Sequence, residues 1–170
     1  MHPADVEILD AFGRTRQATA ELLKRTPDDL LPHIPAGAEK SLAWEFWHIA
    51  DGVHGWMTWC MEGGSADDDL PQHFAKADLL SALESTRVHL LNYFRANDGE
   101  AMGRSYRPAS FRHPGRINDF TGRERVIYLI GHEAHHRGKI VLALRQMGFT
   151  DVPFIPYPHR LVETDAADGD

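Results

Sequence analysis

Apolar residues recur at helical intervals in four stretches of this chain, and glycine, proline and polar residues break up the stretches between them. Residues 4 to about 25 carry Val6, Leu9, Phe12, Ala20 and Leu23 at spacings that suit a helix, although Gly13 and two threonines weaken it. TPDDLLPHIPAGAEK follows, and its three prolines and a glycine predict a connecting loop that contains His33. Ser41 is a plausible N-cap for SLAWEFWHIADGVHGWMTWCMEGG, a second helix ending at Gly63 and Gly64. One arc of this helix holds Leu42, Phe46, Ile49, Val53, Met57 and Cys60; a nearly opposite arc holds Trp44, His48, Gly52, Gly55 and Trp59. Such a helix has neighbours on both sides, and its glycines allow another backbone or a ligand to come close to His48. A third helix, Ala77 to about Ala96, presents Leu79, Leu80, Leu83, Leu90, Leu91 and Phe94, with His89 beside them as a packed residue. The fourth, Thr121 to Gly148, opens with the Thr-x-x-Glu of a capping box and stops at glycine.

The connections differ in character. Residues 63–75 are polar and punctuated, and their acidic run reads as solvated surface. Residues 97–120 are irregular and long for a compact domain. Two readings compete there: Tyr106, Arg107, Phe111, Arg112, His113 and Arg116 close over a pocket and hold an anionic group through arginine forks, or they form local surface structure. After the fourth helix come three prolines and an acidic end, a tail laid on the rest. No repeat or useful strand-like alternation appears. The expected architecture is therefore all-α: one domain over residues 1–170, a four-helix bundle with two longer connections and a proline-rich tail from about 149 to 170.

Composition narrows the function. A 170-residue chain that is 42% hydrophobic can bury its own core. Its net charge of −7 and lack of any basic run argue against nucleic acid as a partner. MHPADVEIL lacks the basic start and apolar run of a signal peptide, and no segment approaches the roughly 18 apolar residues of a membrane span, so the expectation is cytoplasmic. Cys60 is the one cysteine, which leaves no intramolecular disulfide, and its apolar stripe predicts a buried, inert thiol. Eleven histidines are the oddity.

Two of them sit within an apolar face. At about 100° per residue, Leu129, His132, His136, Ile140, Ala143, Leu144 and Met147 of the fourth helix share one broad arc. His132 and His136, four residues apart, project from successive turns and are close enough to share a metal ion. A pair of hydrogen-bonded core histidines is the blander reading, and it gives no reason for two polar groups on one apolar face. His135 falls outside the arc as a rim residue. On the second helix the wheel leans toward His48 over His54 as the inward histidine without deciding between them. Glu133, about 100° around the helix from His132, is a candidate proton acceptor or ligand-orienting group, or else a surface salt-bridge residue.

HEAHHRGKI in the last helix, with its T-x-x-E start and the following VLALRQMG, together with SLAWEFWHIADGVHGW in the second, resembles the DinB/YfiT-like family of bacterial metal-binding four-helix bundles. The resemblance implies a divalent metal, zinc or nickel, held by His48, His132 and His136. It also implies an activity among hydrolases and low-molecular-weight-thiol S-transferases, or a stress-induced protein. Three neutral imidazoles leave a coordination position open, as in catalytic sites. The expected function is thus a metal-dependent hydrolase or thiol transferase acting on a small molecule, with Glu133 as its candidate catalytic residue. A non-catalytic metal-binding stress-response protein is the second reading. His132 to His136 also spells the H-E-x-x-H of zincin peptidases, a minor reading, because downstream there is only His159 in a proline-rich tail and no strand to build the sheet. Trp44, Trp47, Trp56 and Trp59 point to different sides of the second helix, more aromatic surface than one bundle needs, and predict a homodimer.

Overall fold

The computed structural model describes residues 1–64, 70–96, 99–110 and 115–152. The acidic run at 67–69, the loop residues Phe111, Arg112 and His113, and His159 with the rest of the tail beyond 152 lie outside them.

Four long helices form the bundle: α1 (Pro3–Arg25), α2 (Leu42–Gly55), α3 (Lys76–Ala96) and, after a short α4 (Glu100–Gly103), α5 (Gly122–Gln146). Around the bundle the order is α1, α5, α2, α3, so that α5 packs on α1 and α2 and α3 on the same pair from the other side. No helix among the described residues is long and apolar enough to cross a membrane.

The ends follow from local chemistry. The Ser41 hydroxyl accepts from the Trp44 amide, and Thr121 and Glu124 exchange the reciprocal bonds of a capping box. Gly63 and Gly148 take the left-handed conformation that ends their helices, with φ of 76° and 82°. The second helix is not α-helical throughout. It passes into a π-helical turn at Trp56–Met61, where Gly52 and Gly55 weaken the helical preference and the Thr58 hydroxyl bonds back to the His54 carbonyl at 2.8 Å.

The 97–120 connection has more order than its composition suggests. Besides α4 it contains an antiparallel pair, β1 (Ser105–Tyr106) and β2 (Phe120–Thr121), continued by an Ala109–Ile117 bridge. Tyr106 and Phe120 are buried and stacked at 6.0 Å, too short an alternation to read as strands. Arg107 pairs with Asp119 on the exposed surface, and Arg116 is also exposed. Gly122 seats this unit on α5, since a Cβ there would lie 2.2 Å from the Ala101 carbonyl oxygen.

The core comes in two apolar clusters with a polar layer between them. One cluster includes Leu9, Phe12, Val53, Met57, Leu90, Phe94, Val126 and Leu129; the other includes Leu22, Leu23, Phe46, Ile49, Leu79, Leu83, Ile140 and Leu144. Between them are buried Thr15, Arg16 and Thr19 on α1, Thr86 on α3, and Glu133 and His136 on α5. On α1 this corrects the apolar stripe: Val6 is 42% exposed, and the positions between Phe12 and Leu22 are filled by threonines and an arginine. The first arc of α2, from Leu42 to Cys60, is buried throughout. Its four tryptophans are buried or half-buried against their own chain, so they do not supply the exposed aromatic surface on which the homodimer expectation rested.

Candidate metal centre

The second arc of α2 faces α5 across the polar layer. His48 from α2 meets His132 and His136 from α5, with ring centroids 5.1 and 4.8 Å from His48 and 4.4 Å from each other. One ring nitrogen from each of the three lies within 4.8 Å of the others, the spacing of a group able to hold a metal ion. His54, half-buried on α2, is not part of this group.

Each ring is braced. His136 is buried, and its Nδ1 lies 2.5 Å from Glu45 Oε2. Lys139 bonds the other carboxylate oxygen. Burial pushes the Glu45 carboxyl up, but the hydrogen bonds from His136 and Lys139 outweigh that and hold it below the usual range. An ionised Glu45 accepts only, so His136 donates through Nδ1 and keeps its Nε2 lone pair for a ligand role. His48 stacks on Trp44 at 4.6 Å and 11°. His132 stacks on Tyr128 at 5.9 Å, and Gly52 makes room for it: a Cβ at that position would come within 3.1 Å of His132 Cε1. Burial, and then the neighbouring His136 and His48, push the His132 pKa down to about 4, so its ring is neutral at neutral pH.

The remaining candidates lie elsewhere. His135 is exposed, edge-on to His136 at 5.2 Å. His33 is exposed, and His89 bonds Glu62 at 2.7 Å. Cys60 is buried, and burial pushes its thiol up to about 12. Glu133 is not at the surface. It is 1% exposed and turned toward α1, with Oε2 3.2 Å from the Nε of an equally buried Arg16, within ion-pair distance but without hydrogen-bond alignment. Arg137, beside it, donates to the Thr15 carbonyl and the Thr19 hydroxyl.

Sequence reading missed Glu45, Lys139 and Arg16. Glu45 was within reach, because Glu45-x-x-His48 puts two ionisable groups on one face of a helix. Arg16, four residues after Phe12, carried the signal of a charge inside an apolar stripe. Nothing local marked either as a partner of α5.

Comparison with known proteins bears on the family and the fold. Residues 11–140, more than half of the chain and all three histidines, match the family model of the DinB superfamily. A crystal structure of a DinB-like protein from Bacillus cereus is similar at a TM-score of 0.63 and 19% identity, covering 86% of this chain and 93% of that one. A DinB-like protein from Bacillus subtilis is similar at the same TM-score and 24% identity, covering 88% and 97%. At those identities the likeness speaks for the fold. No curated protein matches. Taken with the model match, the helical architecture places this chain in the DinB superfamily.

Proposed function

We propose that this protein is a metal-dependent enzyme in which His48, His132 and His136 hold one divalent ion, zinc or nickel, and which acts on a small molecule by hydrolysis or by transfer of a low-molecular-weight thiol. The observation that carries this reading is the convergence of three imidazole nitrogens from two helices within 4.8 Å of one another. The donor chemistry fits such an ion. His132 is held neutral, and Glu45 presents His136 through Nε2 in the carboxylate–histidine arrangement that orients metal ligands. A divalent ion held there supplies Lewis acidity toward a water or thiol ligand.

The chain's own residues divide the remaining work. Glu45 and Lys139 hold His136, Trp44 and Tyr128 hold the rings of His48 and His132, and Gly52 lets α5 approach α2. His48 and His132 are only half-buried, so a small molecule has an approach to the centre, as an enzyme needs and a storage site does not. The peptidase reading loses its base, because Glu133 is turned into an ion pair with Arg16. The same placement moves Glu133 from a catalytic to an anchoring role in this proposal.

Metal analysis of purified protein tests the reading: one divalent ion per chain, lost in each of His48→Ala, His132→Ala and His136→Ala. A screen of thiol, ester and amide substrates then separates hydrolysis from thiol transfer. Assembly as a homodimer remains part of the proposal. It now rests on Ile127 and Leu142 of α5, 52% and 59% exposed, and not on the tryptophans. Sedimentation should give twice the 19.2 kDa chain mass; a monomer at micromolar concentrations would remove it.

A further inference from the structure

Arg125 lies seven residues before His132 on α5, about 10 Å along the axis and within about 20° of the same face. Tyr128 fills the turn between them, stacked on His132 on one side and 4.8 Å from the Arg125 guanidinium carbon on the other. Trp56 from the π-helical turn and Phe120 from β2 complete a box, with the guanidinium carbon 3.4 Å from the Trp56 ring centre and 3.9 Å from that of Phe120. Three rings thus satisfy the faces of this cation.

Its edge is not satisfied. Nε is shut away from solvent with no hydrogen-bond partner, which leaves the Nη end of this half-buried side chain for a ligand. Arg16, Arg87, Arg107 and Arg123 each have a carboxylate within ion-pair distance; Arg125 has none among the described residues. The neighbouring Glu124 is engaged in the capping box with Thr121. A guanidinium fixed between rings, with its Nη end open and no protein carboxylate on it, matches a carboxylate ligand.

We propose that Arg125 binds the carboxylate of the small molecule that reacts at the three-histidine centre, so that this protein acts on organic acids whose carboxylate and reactive group span the Tyr128 ring, which lies 4.8 Å from the guanidinium carbon and 5.9 Å from the His132 ring. Tyr128 forms the floor between the two ends, and Trp56 and Phe120 hold the guanidinium in one orientation. The proposal rests on the reading of His48, His132 and His136 as metal ligands. It puts on α5 the arginine anchor that one of the two readings placed on the 97–120 connection, where Arg107 faces Asp119.

Two calorimetric titrations of the full chain test it. In the first, metal-free protein takes hexanoate or hexanol; the acid should bind about ten- to a hundredfold more tightly, as one charge-assisted contact allows, and Arg125→Gln should remove the difference. In the second, zinc-loaded protein takes ω-mercaptocarboxylates of increasing length and the matching ω-mercaptoalcohols. The acids should gain over the alcohols only once thiol and carboxylate can reach across the Tyr128 ring. If the wild-type protein binds acid and alcohol alike at every length while still taking up zinc, the Arg125 proposal falls and the metal reading stands. If hexanoate is preferred but zinc does not load, or adds nothing at any length, the metal reading falls and the link between the two ends falls with it. Because wild-type protein alone decides both outcomes, a poorly folding Arg125→Gln does not protect the proposal.

Discussion

Glu45 and Glu133 are both carboxylates buried inside the bundle, and their surroundings divide its buried polar groups into two halves. Glu45, on the α2 side of α5, uses both oxygens, one on His136 and one on Lys139, and its bonds end at a half-exposed histidine cluster. Glu133, on the α1 side, is 1% exposed and meets an equally buried arginine without hydrogen-bond alignment. One half has the fixed rings and accessible edge of a binding centre. The other has what is needed to keep α5 in register against α1. Adjacent residues of one helix, His132 and Glu133, thus meet different surroundings, because about 100° of rotation separates them.

The sharpest way to break this division is to remove Glu133. Glu133→Ala leaves the Arg16 guanidinium buried and unpaired, and should cost about 3–5 kcal/mol in denaturant unfolding. Replacing both partners by apolar residues of similar size, Arg16→Met with Glu133→Leu, should recover most of that loss, and the double variant should still bind metal. Loss of metal in a folded double variant would place Glu133 in the binding half after all.

Glu45→Gln probes the other half. It should lower metal affinity about 10- to 100-fold, as loss of a ligand-orienting partner does, with a smaller effect on folding than Glu133→Ala. Competition with a chromophoric chelator measures it, and an unchanged affinity would show that His136 needs no such brace.

A third test of the division is pH dependence. The His132 pKa is lowered to about 4 in the folded chain, below its ordinary 6.5. Between those values the unfolded chain binds the extra proton, so stability is fully present above about pH 6.5, falls as pH drops toward 4, and levels off below. Unfolding of metal-free protein across that range should show this slope, and His132→Asn should flatten it.

Much of this was legible in the sequence because it repeats along a helix. The four long helices, the capping box at Thr121 and the shared arc of His132 and His136 are all local patterns. Partnerships across the bundle were not. That Glu45 faces His136 and Arg16 faces Glu133 depends on how α1, α2 and α5 are rotated against one another, and spacing within one helix carries no record of that. The homodimer argument met the same limit: four tryptophans around one helix look excessive until Phe74 packs on Trp47, and Phe120 and Tyr128 on Trp56, from other elements. The π-helical turn and the two-residue strands escaped because each is too short for its period to repeat along the sequence.

The most direct measurement is the metal content of the purified chain and of single variants from each half. One divalent ion per chain is expected in the wild type and in Glu133→Gln, and none in His48→Ala, His132→Ala or His136→Ala. A metal-free wild type that also fails to load zinc or nickel, or a full complement of metal in any of the three histidine variants, would contradict the three-histidine centre.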